Sequence, residues 1–303
     1  MAIATAAKQV VHDGMGIVAG GGVESISLVQ TPEMRMSADP WLKARKPEIY
    51  MSMLETAETV SERYNISRED QDRYAVQSQA RTAAAQEAGK LDDEIVPLST
   101  VMKVQNKETG GISDRAVPLF RDEGNRPSTS LVSLSGLKPV FKDGMRIVQG
   151  NYITAGNASQ LPDGSSVSVV MEASVAEKRG LQPLGRYVGA GTVGCAPDEM
   201  GIGPIFAVLR LLETHGLKIG DIGLWELNEA FACQVIYCRD KLDIPDELMN
   251  VHGGAISIGH PYGMSGARMV GHALIEGKRR GAVRGFIAKC RPSATAPGRT
   301  GTI

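Results

Sequence analysis

Small and apolar residues crowd the first thirty positions, and charged and polar ones fill the stretch from Thr31 to about Asn151. From Ala155 onward, apolar runs of strand length alternate again with stretches of helical length. In the first region, AIATAAKQVVHD (2–13) predicts a small-residue helix stopped by Gly14 and Gly16, and 17–19 a short buried strand entering a glycine turn. In the middle, 67–89 predicts a helix capped by the Ser67-x-x-Asp70 box. Residues 61–88 carry the charged face of a surface helix pair, and 122–135 (DEGNRPSTSLVSLS) reads as a loop entering a helix. Beyond it, predicted strands at 166–172, 184–193, 222–227 and 285–288 alternate with helices ending at Gly180 and spanning 204–215, 228–240 and 265–279. Such alternation implies an α/β layered fold, with the polar middle third as an inserted subdomain.

One unit recurs. Residues 266–280 with 285–288 resemble 2–14 with 17–19: a small-residue helix ending in an acid-glycine pair (Glu276-Gly277, Asp13-Gly14), then a short apolar strand. This pattern is that of a duplicated fold, although any α/β chain repeats helix and strand. The second helix is preceded by an elaborate glycine segment, GGAISIGHPYGMSG, and the first begins at Met1.

Composition narrows the classes. A chain of 303 residues is long enough for about two domains. Lys+Arg at 33 against Asp+Glu at 34 gives net charge −1, so no basic excess argues for nucleic acid or an anionic membrane surface. The 35 glycines follow no Gly-Xaa-Yaa period, which excludes collagen. Four cysteines, with no Cys-x-x-Cys pair, make neither a disulfide framework nor a zinc motif. Reduced thiols in the cytoplasm are expected. No apolar run reaches the roughly 20 residues of a membrane span, and the amino terminus lacks the basic and apolar regions of a secretory signal.

Three segments could carry chemistry. In NVHGGAISIGHPYGMSGA (250–267), a strand is expected to end in a tight Gly259-His260-Pro261 turn at the amino end of a helix. Backbone N–H groups and the helix dipole there favour developing negative charge. A lone His260 is more often structural than catalytic. WELNEAFACQ (225–234) again runs strand into helix. Asn228 stands either as an N-cap or as an amide that orients a water or a carbonyl. TAGNASQLPDG (154–164) is a small-residue loop that suits a turn or a closely approaching ligand.

Taken in order, TAGNAS, NEAFA and NVHGGAISIGHPYGMSGAR, with GGVES (21–25) near the start, resemble the thiolase family of acetyl-CoA acyltransferases. The resemblance runs from Ala2 to about Cys290, and residues 61–98 look like that family's loop domain. It implies a five-layered α/β/α/β/α fold of two similar halves. On that division, 1–30 is the remainder of the amino-terminal half and 31–153 the CoA-binding loop domain with its return to the core. Residues 154–290 form the carboxyl-terminal half, and 291–303 a disordered tail.

The same resemblance implies thiolytic cleavage of a 3-oxoacyl-CoA, or the reverse Claisen condensation, by a nucleophilic cysteine and an acid/base cysteine. No cofactor is needed beyond the coenzyme A thioester substrate. His260 matches the histidine that activates the nucleophile and donates to the thioester oxygen. Asn228 matches the asparagine that holds the oxyanion-hole water, and Cys290 the acid/base. Ser159, Phe231, Phe141, Met53, Ser133 and Arg126 match positions along the pantetheine and adenosine-phosphate path. A homodimer or homotetramer binding acyl-CoA and CoA is expected, with neither nucleic acid nor membrane as partner.

The departures are as informative. The family's nucleophile lies in a segment directly before the helix AIATAAKQV, whereas this chain has no cysteine before Cys195. After Cys290 comes RPSATAPGRTGTI instead of a glycine turn and closing strand, the kind of sequence a shifted reading frame would produce. His252 replaces an asparagine, and Leu54 stands where glycine is usual. Two readings follow: a thiolase-type acyltransferase whose nucleophilic cysteine is not in this chain, or an inactive relative that binds CoA or an intact subunit. A nucleotide-binding oxidoreductase is set aside, because Gly20–Gly22 lacks G-x-G-x-x-G spacing. Strands missing from one half would leave open sheet edges, so the 303-residue chain alone is expected to be loosely packed or poorly soluble. Calorimetry with light scattering checks this, and a sharp cooperative melt of a monodisperse dimer would contradict it.

Overall fold

The structure, a computed structural model, describes residues 1–30, 37–289 and, for the backbone alone, 301–302. Helix α1 (Ala2–His12) buries Ile3, Ala4, Ala6 and Ala7, and Gly14 at φ +72° turns the chain into β1 (Ile17–Glu24). Short helices α2 (Ile26–Val29) and α3 (Pro40–Arg45) lead into the pair α4 (Met53–Arg63) and α5 (Arg68–Glu87). A hairpin, β2 (Leu98–Gln105) and β3 (Ile112–Leu119), and helix α6 (Leu131–Ser135) complete the middle region. Strand β4 (Gly164–Met171) then pairs antiparallel with all of β1, from Ile17 opposite Met171 to Glu24 opposite Gly164.

The last third runs through α7 (Ala173–Lys178), α8 (Gly203–Thr214), β5 (Leu224–Leu227), α9 (Ala232–Leu242), the single turn α10 (Ala255–Ile258) and α11 (Ser265–Arg280). It closes with β6 (Gly285–Lys289) and β7 (Gly301–Thr302). Strand β6 lies parallel to β5, with Leu224 opposite Gly285, and β7 is antiparallel to β6.

Strand β5 organises the core through the alternation of its side chains. Trp225 and Leu227 enter a large apolar cluster with Val60, Ile153, Val235 and Met249. Leu224 faces a smaller one, where Ile3 of α1 meets Ala267, Met269, Val270 and Ala273 of α11 and Ile287 of β6. The two helix–strand units that look alike in sequence therefore meet in one apolar cluster.

Several expectations change. The α4–α5 pair is not a surface pair: Glu55, Glu58, Ser61, Gln71, Asp72, Ser78 and Thr82 are all buried. Their polar groups serve backbone that periodicity does not reveal. Glu58 accepts hydrogen bonds from the N–H groups of Asn151, Tyr152 and Ile153, the shortest 2.8 Å from Ile153, and Glu55 accepts from Arg146 and Ile147. The β2–β3 hairpin was not foreseen. It is exposed on nearly every residue, so neither strand shows the alternation that one buried face would impose. Residues 184–193 join no ladder among the described residues. A strand needs a partner edge, and apolar pattern alone does not supply one. Residues 255–258 form a helical turn rather than the end of a strand. Helix α9 starts at Ala232 with Phe231 as its N-cap residue, so Asn228 is not a cap. Of the tail 291–303, only 301–302 are described, and these pair with β6, whose edge offers free backbone groups.

Replacing Glu58 by alanine would strand the N–H groups of Asn151, half-buried Tyr152 and buried Ile153. Glu58→Ala is expected to cost about 3 kcal/mol, more than a typical surface change. A urea denaturation midpoint measures it, and a midpoint within error of the parent's would show that the carboxylate does not hold the 144–153 loop.

Candidate functional site

Three turns interlock at the ends of β5 and β6. Asn228 continues from β5, and its N–H donates to the carbonyl of Ala288 on β6 at 3.0 Å. The next residues engage the TAGNAS loop: the N–H of Ser159 donates to Ala230 O at 2.9 Å, that of Ala232 donates to Asn157 O at 2.9 Å, and Ala158 bridges Phe231 antiparallel. One residue on, Gln160 binds the third turn. Its carbonyl accepts from the His260 N–H at 2.9 Å, and its side-chain amide donates to Gly124, Ile256 and Ser257 carbonyls. Motifs separated by up to a hundred residues thus share one hydrogen-bonded wall.

Glu229 fastens that wall from behind. It is fully buried and accepts from Tyr74 Oη at 2.8 Å, Ser78 Oγ at 2.7 Å, Asn250 Nδ2 at 3.1 Å and the Ile256 N–H at 3.1 Å. Asn250 in turn spans β5, accepting from the Leu227 N–H and donating to the Leu227 carbonyl, both at 2.8 Å. Gly254 is required there, because a Cβ would stand 2.7 Å from the Glu229 carboxyl carbon. Gly259 sits at φ +95° against the ring of Pro162, a conformation and a space that exclude any side chain.

His260 is held by these turns in one defined form. Its ring is buried, and Nδ1 lies 2.6 Å from Ser265 Oγ, at the first turn of α11. The Ser265 hydroxyl donates its single proton to Pro261 O at 3.0 Å, so Oγ is left to accept from Nδ1–H. That tautomer leaves Nε2 with its lone pair, the form of a base. Burial first, then the nearby charges of Lys289 and Arg268, push the imidazolium down to about 3. At neutral pH the ring is therefore uncharged. Lys289, at the end of β6, donates from Nζ to Tyr262 O at 2.6 Å and ties β6 to the same turn.

Asn228 is also buried, and its Nδ2 has no hydrogen-bond partner among the described residues. A buried amide donor left open is costly unless a ligand or water takes it.

The remaining sequence candidates separate. Ser159 is half-buried on the wall, while Phe231 is buried in the large apolar cluster next to it. Met53 packs on that cluster from the start of α4. Phe141 is buried in the 140–150 loop held by Glu55 and Glu58. Ser133 and Arg126 are exposed; Ser133 completes the capping box of α6 with Ser130, and the Arg126 N–H donates to Gln79 Oε1 at 2.8 Å. Cys290 lies outside the described residues. Sequence reading missed Glu229, Asn250 and Gln160. All three stand inside the quoted segments, so their place beside the motif residues was the available signal.

None of the described cysteines is an activated thiol. Burial, reinforced by Glu199 and Asp198, pushes Cys195 up to about 11; burial pushes Cys233 up to about 12 and Cys238 beyond the ordinary thiol range. A thiolate nucleophile needs the opposite environment.

Together the fold and site define an α/β protein with a repeated helix–strand unit and a polar site at its strand ends. The family is equally clear: residues 1–174 match the thiolase N-terminal domain and residues 181–300 the thiolase C-terminal domain, and the chain belongs to the thiolase family. It is 42% identical over 281 residues to the peroxisomal 3-ketoacyl-CoA thiolase 2 of Arabidopsis thaliana, covering 92% of this chain and 58% of that one. It is 40% identical over 290 residues to the 3-ketoacyl-CoA thiolase of Bacillus subtilis, covering 95% and 72%. The chain thus spans 58% of the plant relative's length. Among solved structures, the dimeric peroxisomal thiolase of Saccharomyces cerevisiae superposes with a TM-score of 0.82 at 34% identity, covering 99% of this chain and 72% of that one. Human mitochondrial 3-ketoacyl-CoA thiolase in complex with CoA gives 0.80 at 33% identity, covering 99% and 74%. The fold is the thiolase fold.

His260 is expected to stay neutral, with its proton on Nδ1, throughout pH 5–8. As pH falls below about 6.5 the unfolded chain takes up a proton that the folded chain refuses, so this residue's contribution to stability is lost toward acid. Long-range nitrogen–proton correlation spectra read both tautomer and charge. A titration midpoint between 6 and 7 would show that the ring is not buried as described.

Proposed function

We propose that this chain serves thiolase-type acyl transfer, the cleavage of a 3-oxoacyl-CoA by CoA or the reverse condensation of two acyl-CoA molecules, with a nucleophilic cysteine that these 303 residues do not contain. The observation that carries the reading is the buried, unpartnered amide of Asn228 on the same interlocked turns as a neutral His260 with a free Nε2 lone pair. An amide donor held rigidly in a dry site can hold a water or a thioester oxygen as charge develops on it. A neutral imidazole can take a thiol proton, and the N–H so formed can donate a hydrogen bond to the thioester oxygen. Cys290, outside the described residues, takes the acid/base role by its place in the family's pattern.

Ser159 on the wall, with Phe231 in the apolar cluster next to it, suits the pantetheine arm. Phe141 and Met53 would shape its path, and Ser133 and Arg126, exposed at the rim, suit the adenosine phosphates. A homodimer in the cytoplasm is the working assembly of this reading; reduced Cys195, Cys233 and Cys238 accord with that compartment. A second reading, a CoA-binding chain without turnover of its own, is favoured by one observation: every described thiol, half-buried Cys195 as well as buried Cys233 and Cys238, is pushed away from the thiolate.

Thiolysis of acetoacetyl-CoA by the purified chain, together with calorimetric CoA binding, tests both. The first reading expects no turnover from the chain alone, and turnover once a segment carrying the nucleophilic cysteine is joined ahead of Ala2, falling at least about 100-fold in Asn228→Ala and His260→Ala with CoA affinity retained. CoA binding with no turnover even when that segment is in place would establish the second, and neither binding nor turnover would overturn both.

A further inference from the structure

A second group of ionisable side chains is buried away from the catalytic turns, where the middle region meets β5 and α11. At its centre is His272 of α11, 1% exposed. Its Nδ1 lies 2.9 Å from Glu94 Oε1, on the 3₁₀ turn that follows α5. Its Nε2 points toward Glu226 Oε1 at 3.9 Å, on β5 two residues before Asn228. Both atoms of that second contact are buried with no hydrogen-bond partner, as is the other oxygen of Glu94.

Every element packed around the imidazole brings charge. On α11 itself, Arg268 Nη2 reaches Glu226 Oε2 at 3.5 Å, and Glu276 is bound by Arg280 at 2.6 Å and lies 3.5 Å from Arg279. From the 250–254 turn, His252 stacks edge-on to His272 with centroids 5.2 Å apart and lies 3.7 Å from Glu276. The 3₁₀ turn contributes Asp93, bound to Arg279 at 2.7 Å, and Asp122 is close enough to Arg268 to feel its charge.

A neutral imidazole can donate to only one of the two buried carboxyl groups beside it, whereas an imidazolium can donate to both; burial pushes the Glu226 carboxyl up, and the charges of His272 and Arg268 oppose that rise. We propose that His272 is a buried imidazolium that pins Glu94 of the middle region to Glu226 of β5, and that alkalinisation, by removing its proton, loosens this junction. Only one of the two histidines carries the charge. His252 is held neutral, down at about 4, by burial and by the cations His272 and Arg280 against the pull of Glu276 and Glu94. At His272 burial also opposes the charge, but the hydrogen bond to Glu94 and the fields of Glu226 and Glu94 outweigh it and raise the ring above the ordinary histidine range. Since the folded chain holds this proton more tightly than the unfolded one, the stabilisation is complete below about pH 6.5 and disappears as pH rises through the raised value. The pin joins the region that packs behind Glu229 to the strand that carries Asn228, yet it touches none of the catalytic turns' own hydrogen bonds.

The test uses the whole chain and reads no activity, so it stands or falls apart from the acyl-transfer reading. Urea unfolding of the parent and of His272→Gln is followed from pH 5.5 to 9, with nitrogen–proton spectra of the imidazoles alongside. The parent's unfolding constant is expected to rise relative to the variant's by up to about tenfold per pH unit between 6.5 and the titration of His272. Backbone deuterium exchange, corrected for intrinsic rate, is expected to increase over 90–94 and 224–227 across the same interval. If His272→Gln does not fold, Glu226→Gln carries the test by moving the His272 titration downward. A His272 ring already neutral at pH 6.5, parallel pH profiles of parent and variant, or a titration unmoved in Glu226→Gln would each overturn the proposal.

Discussion

Glu229 accepts four hydrogen bonds in a place with no access to solvent, and the rest of the molecule is arranged around that fact. Two of its donors, Tyr74 and Ser78, come from α5 in the middle region. The other two, Asn250 and the Ile256 N–H, come from the turn that leads to His260. A buried carboxylate without partners is expensive, so all four donors must be present together. The constraint fixes the middle region, the end of β5 and the histidine turn in one register.

That rigidity suits the chemistry. Asn228 and His260 each gain their character from surroundings they did not choose. The amide is left open because its neighbours bond to one another, and the imidazole is neutral because Ser265 and burial leave it no reason to hold a second proton. The Glu94–His272–Glu226 group is the opposite case, a buried ring between two carboxyl groups that only an imidazolium can serve with both its N–H groups. Two histidines on one glycine-rich segment and its helix are thus driven to opposite protonation states by what packs against them.

Much of the architecture was legible. Small-residue helices at both ends, the alternation of strand and helix after Ala155, and the repeated helix–strand unit all recur as observed elements, within a few residues at their ends. The three motifs could be found because their glycines and small residues are needed for backbone to approach backbone, a requirement written locally. What failed did so for nonlocal reasons. The exposed β2–β3 hairpin has no buried face to imprint alternation, residues 184–193 have strand composition but no partner edge, and α4 looks like a surface helix because its glutamates are bonded to a loop some ninety residues away.

The sequence by itself determined the fold class, the small-residue elements and the three glycine-rich or small-residue segments that meet at the site, since these depend on local sterics and on periodic burial. Only the tertiary structure decided the states of those residues. It settled that Asn228 is an open donor rather than a helix cap, that the described thiols are inert, and that His260 is neutral. Protonation and hydrogen-bond satisfaction depend on which groups from distant parts of the chain share a buried volume, and no local pattern carries that information.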